Sequence, residues 1–409
     1  MVPGDPGADT IIKRGLESRD PEHSLLVAMH DMQIENLGPG KILDELSSTQ
    51  LQEMARIVED EIGNGVVTGL FKWLQHVVIT SNMLAVYGPN NIIALDPSLE
   101  ADFWVYESGL STILIGVAPW LFAPKAYRAQ RKFIDALSRW AENGYWNDAS
   151  EWIKNRRNLN MKHGLSSRQA EQMELGLMFG ILGNAMPTTF WLLMYIWSRP
   201  QLLRELREEL ERADGLVKIE DDKRIINIQA VKTHAPLLNS TLREVLRTNS
   251  PVASIRVVLE DTVIADQYLL KKGSMVQIPA QIANMDSGSW GSDAHEFNAY
   301  RFTKSVNGTI TNSGADTGKE KTVHPAAFRS FGGGSSLCPG RHFAQMEIVG
   351  FTALMILGFE LESAGGGLVV LPEKTSFMLP LSIYRPRRDV KVEIRRREGM
   401  ENVKWSFAK

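Results

Sequence analysis

The sequence predicts a mainly α-helical fold with small β-sheets, an α+β class. Three observations predict it: amphipathic segments fill the first two-thirds of the chain, one long apolar segment lies among them, and short alternating segments follow. The chain has 409 residues, of which 44% are hydrophobic and ten are tryptophan, so it can bury a large core. No repeat or long linker divides it, which predicts one domain over residues 1–409.

Four segments are predicted to form amphipathic helices. Residues 44–62, 126–143 and 199–215 carry apolar side chains at three- and four-residue spacing with charged residues between them. Residues 233–251 follow the same pattern, and Pro251 is expected to end that helix because the residue before a proline disfavours helical geometry.

The longest apolar segment, residues 173–197, is predicted to be a kinked helix in the protein core. Its apolar content alone would also fit a membrane span. However, it contains residues that are costly or disruptive in lipid, namely Glu174, Gly176, Gly180, Gly183, Asn184, Pro187, Thr188 and Thr189. A helix that is apolar on all sides is typical of a buried core helix, which we therefore predict.

The last third of the chain changes its pattern. Residues 255–280 alternate and contain Asp, Gly and Pro, which predicts two or three short strands. Residues 303–322 are polar and rich in turn formers, which predicts a surface loop. Residues 341–363 are predicted to form an apolar helix, and the tail after 364–367 to form hairpin strands.

Charge and cysteine content limit the functions available. The 45 basic residues nearly balance the 48 acidic ones, so no overall field indicates a nucleic acid partner. A single cysteine cannot form an internal disulfide, which fits a reducing compartment. No apolar run follows the first basic residues, so neither a signal peptide nor an anchor is expected at the start of this chain.

The single cysteine, Cys338, lies between a glycine-rich segment and a predicted helix. A lone cysteine is commonly an inert small hydrophobic residue. Here, Gly332–Gly334 and Gly340 allow the backbone to approach a bulky flat partner or to adopt positive φ. The helix predicted to begin near Arg341 is expected to turn its positive end toward the sulfur and to lower the pKa of the thiol. Such a thiolate is a suitable axial ligand for iron.

The spacing of Phe331, Gly334, Cys338 and Gly340 resembles the haem-binding loop of the cytochrome P-450 superfamily, the haem-thiolate monooxygenases. The resemblance implies the P-450 fold, with haem b (iron protoporphyrin IX) between a long kinked central helix and the cysteine loop. It implies that Cys338 is the axial ligand of the haem iron. Residues implied to contact the cofactor are Phe331, Gly334, Ser336, Gly340 and Arg256.

Two further motifs support the resemblance. Glu244 and Arg247 are three residues apart, so they share a helix face and can form an ion pair, although such pairs are common on surfaces. Phe297, Arg301 and Phe302 resemble the family's meander motif. The likeness implies that Glu244, Arg247 and Arg301 form a buried structural triad.

The cofactor's propionates require cations, and Arg256 matches the family position that commonly supplies one. Most members have Arg or His two residues before the cysteine, where this chain has Ser336. One propionate contact is therefore expected to be weaker or to come from elsewhere, with Arg329 as the candidate.

The long helix departs from the family pattern of an acid followed by a threonine. Pro187 occupies the threonine position, and no carboxylate precedes it. Because Pro187 has no N–H, the Gly183 carbonyl loses its helical partner, which predicts a kink and a polar notch formed by Gly183 and Asn184. Thr188 lies about 100° round the helix from Pro187, so the sequence leaves open whether its hydroxyl reaches the notch. The Gly-Asn-x-x-Pro pattern resembles the branch of bile-acid sterol hydroxylases and prostacyclin synthase, which contains both monooxygenases and an isomerase.

The resemblance implies an apolar substrate pocket beside the haem, although each of its residues could equally belong to the core. The pocket residues are Val252, Ala253, Ser254, Ile255, Phe377, Met378 and Leu379. Apolar residues suit a lipophilic substrate of terpenoid, sterol or polyketide type. No Walker sequence, G-x-S-x-G motif or paired metal-binding histidines indicate acyl or phosphoryl transfer.

The expected function is that of a haem-thiolate monooxygenase that oxidises this substrate with O2 and electrons from NADPH, supplied by an NADPH-cytochrome reductase. The alternatives are a redox-neutral isomerase or dehydratase acting on a peroxide, and a haem-binding remnant without catalysis. Eukaryotic relatives begin with an anchor, a first helix and first strands, which this chain is expected to lack. The resemblance places the full-length relative on the cytoplasmic face of the endoplasmic reticulum, and this chain as soluble or peripheral, with a membrane surface left open as a partner.

Overall fold

The computed structural model describes residues 10–12, 18, 20–63, 65–303, 305–306, 309–313, 320–375 and 381–408. The chain divides into two compact units. The first comprises residues 1–238, 339–373 and 386–409, and the second comprises residues 239–338 and 374–385. Helices dominate the first unit and short strands the second, as the fold class predicted.

The helices ahead of residue 238 belong to the first unit. In chain order they are α1 (Leu25–Leu37), α2 (Lys41–Ile62), α3 (Leu70–Tyr87), α4 (Ile92–Leu95), α5 (Ser98–Ile115), α6 (Pro119–Phe122), α7 (Pro124–Glu142), α8 (Glu151–Lys162), α9 (Ser167–Trp197), α10 (Pro200–Arg212) and α11 (Ile228–His234). Three of the four predicted amphipathic helices correspond to α2, α7 and α10, and the fourth corresponds to α12 (Pro236–Asn249), which ends before Pro251 as predicted. In α7 the buried residues recur every three or four positions, as at Ala126, Ala129, Phe133 and Leu137.

The long helix α9 is the main core element of the first unit. Its N-terminus is fixed by reciprocal hydrogen bonds between Ser166 and Gln169, in which each side chain accepts the other residue's backbone N–H. Residues 185–197 are all buried, and α9 packs against α3, α7 and α15 (Arg341–Gly358). Among the described residues it is the one helix long and apolar enough to span a membrane, and 72% of its most apolar window is buried inside the protein.

Glu347 of α15 is a buried carboxyl group in the first unit, where α15 packs against α2. The Asn82 amide of α3 donates a hydrogen bond to Glu347 Oε1 at 3.0 Å. Burial raises the pKa of Glu347 to about 7, although hydrogen bonds from Asn82 and Gln50 act in the opposite direction. Burying a neutral carboxyl group costs less free energy than burying a charged one. At this helix junction, Glu347 therefore stays protonated at pH values above those at which ordinary carboxyl groups ionise.

Two small sheets complete the first unit. Strand β1 (Val66–Gly69) pairs antiparallel with β12 (Lys391–Arg396), which also pairs with β11 (Phe359–Ser363). Strand β3 (Lys223–Ile226) lies between β2 (Val217–Glu220) and β13 (Lys404–Phe407), antiparallel to β2 and parallel to β13.

The second unit begins within α12 (Pro236–Asn249), since the division falls after Leu238. It contains α13 (Ala280–Asn284), α14 (Ser287–Trp290) and three antiparallel sheets: β4 (Ala253–Val257) with β7 (Met275–Pro279), β5 (Thr262–Ile264) with β6 (Tyr268–Leu270), and β9 (Thr309–Ser313) with β8 (Ser305–Val306) and β10 (Glu320–Val323). A small apolar core of Trp290, Ala294, Phe302, Val323 and Ala327 packs against Phe328.

Four predictions about elements need correction. Residues 255–280 contribute four strands rather than two or three, because the Ala265-Asp266 pair adopts positive φ and allows a further hairpin between β5 and β6. Residues 303–322 are not a continuous loop, since β8, β9 and β10 lie within them. The helix predicted over residues 341–363 ends at Gly358, and residues 359–363 form β11. In the tail, β12 pairs with β11, whereas β13 pairs with β3.

Candidate functional site

The cysteine loop of the second unit is closed by its own backbone. The N–H of Cys338 donates to the carbonyl of Phe331 at 2.9 Å, and the N–H of Leu337 donates to the carbonyl of Gly334 at 3.1 Å. Gly332 and Gly334 have φ of 78° and 64°, which favour glycine, so two of the predicted glycines are required by geometry. Cys338 is partly exposed. Gly340 has a φ of −81°, so it does not need the positive φ that the sequence allowed for it.

Arg256 and Ser336, both predicted to contact the cofactor, lie beside each other. The Nη2 atom of Arg256 donates to the hydroxyl of Ser336, and Nη1 donates to the carbonyl of Ile255 at 2.8 Å. The side chain of Arg256, in β4, therefore reaches the cysteine loop within the second unit.

Arg329, the predicted alternative cation, also borders the loop. A methyl group added at Gly333 would lie 2.3 Å from Nη1 of Arg329, so this glycine leaves room for the guanidinium group. The Nε atom of Arg329 is buried and has no hydrogen-bond partner among the described residues. A buried donor without a partner is costly, which indicates a position for an acceptor that a ligand would supply.

The three residues of the predicted triad form one buried ionic cluster. Arg247 donates two parallel hydrogen bonds of 2.7 Å to Glu244, one to each carboxylate oxygen. The Nε atom of Arg301 approaches the same two oxygens at 3.1 and 3.2 Å. All three side chains are at most 1% exposed, so the cluster is not an ordinary surface pair.

Groups outside the predicted triad complete this cluster. Asp293 receives hydrogen bonds from both terminal nitrogens of Arg301, at 3.0 and 2.9 Å. Burial alone would raise the pKa of Asp293, but its hydrogen bonds and charge interaction with Arg301 lower it. Arg247 also donates to the backbone carbonyls of Asn284, Ala294 and Glu296. The cluster therefore joins α12 to the chain between α13 and Arg301.

The distal residues predicted from the long helix lie in the first unit. Gly183 and Pro187 are buried within α9, which continues as a helix on both sides of Pro187. The hydroxyl of Thr188 donates to the carbonyl of Asn184 at 2.7 Å, and that of Thr189 donates to the carbonyl of Ala185 at 2.9 Å. The sequence left open where the Thr188 hydroxyl points, and the structure places it on the backbone of α9.

The predicted pocket residues divide into two sets. Val252, Ala253 and Ser254 are partly buried at the start of β4, whereas Ile255 is 52% exposed. Ser254 lies close to the cysteine loop, since its Oγ would be 3.8 Å from a methyl group on Gly332. Phe377, Met378 and Leu379 lie outside the described residues.

The protein is mostly helical, and its single thiol, Cys338, is partly exposed in a glycine-rich loop. Two arginines, Arg256 and Arg329, border that loop. A family model for cytochrome P450 matches residues 146–386. The chain belongs to the cytochrome P450 family of oxidoreductases, as the sequence predicted.

Named relatives are fungal and mammalian. The chain is 34% identical to cytochrome P450 monooxygenase nodJ of Hypoxylon pulicicidum, over 83% of this chain and 65% of that protein. It is 30% identical to a cytochrome P450 monooxygenase of Gibberella zeae, over 89% and 70% of the two chains. A human 7-alpha-hydroxycholest-4-en-3-one 12-alpha-hydroxylase is 24% identical over 72% of this chain and 59% of its own length. The chain thus spans about two thirds of the length of these two fungal relatives and 59% of the length of the human protein.

A solved structure supports the fold. Retinoic acid-bound cyanobacterial CYP120A1 superposes with a TM-score of 0.70 and covers 93% of this chain and 82% of its own, at 18% sequence identity. At that identity the likeness shows the fold alone.

The described residues of the second unit fit a haem. The group offers an iron atom that binds a thiolate, and two propionates that bind cations. Cys338 supplies a sulfur in a loop that glycines keep open, and Arg329 supplies a buried Nε donor without a partner. Arg256 supplies a second guanidinium group at the same loop. Asn284 bonds to Arg329 and Ser330, just ahead of this loop, and could not be identified from the sequence because an asparagine in a short helix carries no distinctive signal.

Proposed function

We propose that this protein is a haem-thiolate monooxygenase that oxidises a lipophilic small molecule with O2 and electrons from NADPH, delivered by a reductase. The observation that carries the proposal is the cysteine loop with Cys338, which Arg256 of β4 and Arg329 border within one compact unit. The family match and the names of the fungal relatives support it.

Each residue of the loop has a proposed task. Cys338 would bind the iron, and the backbone hydrogen bond from its N–H to Phe331 would hold the sulfur in a fixed position. Arg329 and Arg256 would bind the propionates. When bound, the haem would supply the activation of O2, which a thiolate ligand from Cys338 would promote. Gly334, where an added methyl group would meet no atom within 4 Å, would keep a side chain out of the space that the flat group requires.

Gly183, Asn184 and Thr188 of α9 are the proposed catalytic residues of the first unit. The carbonyl of Gly183 cannot accept a helical hydrogen bond from Pro187, so it is available to a water molecule or another donor. The amide of Asn184 is the proposed polar neighbour of that carbonyl. The hydroxyl of Thr188 donates to the carbonyl of Asn184, and a hydrogen bond of this kind often bends a helix, so Thr188 would add to the bend expected at Pro187.

The proposed substrate is of terpenoid, sterol or polyketide type. Support comes from the apolar residues at the start of β4, Val252 and Ala253, and from relatives whose names include a sterol 12-alpha-hydroxylase. The second candidate function is a redox-neutral isomerase or dehydratase acting on a peroxide. Pro187 keeps this candidate open, because a proline cannot supply the hydroxyl expected at that position of the helix and the branch with this pattern contains both monooxygenases and an isomerase.

The ratio of NADPH consumed to product formed separates the two functions. Haem-loaded protein would be mixed with an NADPH-cytochrome reductase and, in turn, with 7α-hydroxycholest-4-en-3-one, other lipophilic compounds and an organic endoperoxide. We expect one NADPH per oxidised product. Rearrangement of the endoperoxide without NADPH would establish the isomerase instead. Haem binding with neither electron transfer nor turnover would overturn both and indicate a remnant without catalysis.

A membrane surface is the proposed location, on the cytoplasmic face of the endoplasmic reticulum. In the first unit, Val117, Trp120, Leu121 and Phe122 are each more than 60% exposed, at and just before α6. Lys125, Arg128 and Arg131 follow on the exposed face of α7. Exposed Trp, Leu and Phe beside basic residues are typical of segments that lie in the interface of an anionic bilayer.

We expect the double variant Trp120→Ser/Leu121→Ser to bind vesicles containing anionic lipid at least about 10-fold more weakly than the unchanged protein, because burying each side chain contributes about 1.5–3 kcal/mol. Co-sedimentation with vesicles would measure this. The control is Ile219→Ser, which removes an equally exposed apolar side chain from β2. Equal binding by the double variant and the control would contradict the proposed surface.

A further inference from the structure

Asn284 bonds to two parts of the second unit at once. It is the last residue of α13 and is completely buried. Its backbone carbonyl accepts a hydrogen bond of 2.7 Å from Nη1 of Arg247, in the ionic cluster. Its side-chain Oδ1 accepts from the N–H of Arg329 at 2.9 Å, and its Nδ2 donates to the hydroxyl of Ser330 at 3.1 Å.

Ser330 also bonds to α12, the helix that carries Glu244 and Arg247 of the ionic cluster. Its hydroxyl donates to the carbonyl of Leu246 at 3.0 Å, and Leu246 directly precedes Arg247 in α12. Hydrogen bonds thus lead from Arg247 through Asn284 to Ser330 and back to α12. The next bond belongs to the cysteine loop, since the N–H of Gly332 donates to the carbonyl of Arg329 at 2.9 Å.

The chemistry of the contacts fixes the orientation of the amide. The N–H of Arg329 can only donate, so the atom facing it must be the oxygen of Asn284. The nitrogen then faces Ser330, whose hydroxyl can accept while it donates to Leu246. A buried side chain that uses both ends in this way holds the backbone of Arg329 and Ser330 in one position.

We propose that Asn284 is a positioning residue that sets the guanidinium group of Arg329 for the cofactor's carboxylate groups, using the buried ionic cluster as its fixed base. The inference rests on the proposed haem-thiolate function. This role accounts for the buried Nε atom of Arg329 that has no partner among the described residues. The hydrogen bond to Asn284 fixes the backbone of Arg329, so the Nε donor is already positioned to bind a carboxylate.

The first test is the rate at which the folded holoprotein loses haem to excess apomyoglobin, with the midpoint reduction potential as a second readout. Losing a buried hydrogen bond to Arg329 is expected to raise the rate about 10-fold in Asn284→Ala and to shift the potential. Asn284→Ser is the second variant if the alanine variant fails to fold. Ser330→Ala leaves the bond to Arg329 intact, so a smaller increase is expected.

A matched control separates positioning from general destabilisation. Ser240→Ala also removes a buried hydroxyl in the second unit, one that accepts from the N–H of Phe302 at 2.9 Å and does not contact the cysteine loop. We expect this variant to have a lower unfolding temperature. Its rate of haem loss should stay within about 2-fold of that of the unchanged protein, and its midpoint reduction potential should stay near the unchanged value. Equal haem loss in Asn284→Ala and Ser240→Ala would overturn the inference.

A double-variant cycle tests the route through Arg329. If Asn284 acts through Arg329, then Asn284→Ala added to Arg329→Gln should raise haem loss much less than it does in the unchanged protein. Full additivity of the two changes would overturn the inference and leave the proposed function intact. A different result would contradict the proposed function, namely a carbon monoxide spectrum of the holoprotein that does not depend on Cys338.

Discussion

Replacing Glu244 by alanine is expected to destabilise the protein by about 3–5 kcal/mol, because the change leaves two buried guanidinium groups without their carboxylate. Arg247 and Arg301 both bond to Glu244, and both side chains are at most 1% exposed. Arg301 would keep Asp293, whereas Arg247 would keep backbone carbonyls, the Met285 sulfur and the ring of Trp290 but would lose its carboxylate partner. Chemical denaturation of the haem-free protein would measure the loss of unfolding free energy.

The control for Glu244→Ala is Glu373→Ala, which breaks a pair of similar length in solvent. Glu373 and Arg387 approach to 2.7 Å, but their side chains are 75% and 69% exposed. Exposed pairs of this kind contribute less than about 1 kcal/mol. If Glu244→Ala costs no more than Glu373→Ala, the cluster is not a structural support of the second unit.

The spacing of the helix pair was sufficient to predict part of this cluster. Glu244 and Arg247 are three residues apart in an amphipathic segment, so one helix face had to carry both. Arg301 entered through its likeness to a family motif rather than through spacing. Asp293 and Asn284 could not be predicted, because their contacts depend on how the irregular chain after β7 returns to α12. No periodic pattern encodes such a return.

The predicted bounds of two elements were wrong because they were drawn from the overall composition of each segment and not from its local sequence. Residues 303–322 are polar, which favoured a loop, but Asn307-Gly308 is a dipeptide that favours a two-residue hairpin turn, and strands lie on both sides of it. The predicted helix was carried through residues 359–363, but these read Phe-Glu-Leu-Glu-Ser and alternate apolar and polar side chains. Such alternation is typical of a strand, and the structure ends the helix at Gly358, where the alternation begins.

The cysteine loop was predictable for a different reason. Its glycines are required by the backbone, since Gly332 and Gly334 have positive φ, and the sequence records that requirement directly. Arg329 was identified as a candidate because Ser336 stands where a cation was expected. Its buried Nε, which makes it the stronger candidate, depends on packing that the sequence does not encode.

Replacing Cys338 by serine is expected to abolish the strongly red-shifted Soret band of the reduced, carbon monoxide-treated holoprotein. Serine has nearly the same shape, but its hydroxyl does not ionise in the accessible pH range and is a poor ligand for haem iron, whereas a cysteine ionises readily. The absorption spectra of the unchanged protein and of Cys338→Ser would measure this difference, with haem content determined separately.

Ser335→Ala is the matched control for Cys338→Ser, because Ser335 is an exposed residue of the same loop. We expect this variant to keep the red-shifted band, since the backbone bond between Cys338 and Phe331 and the two glycines with positive φ remain. A band of equal position and intensity in the Cys338→Ser protein would mean that another side chain binds the iron. In that case the proposed roles of Arg256 and Arg329 would lose their basis too, since both follow from the position of the sulfur.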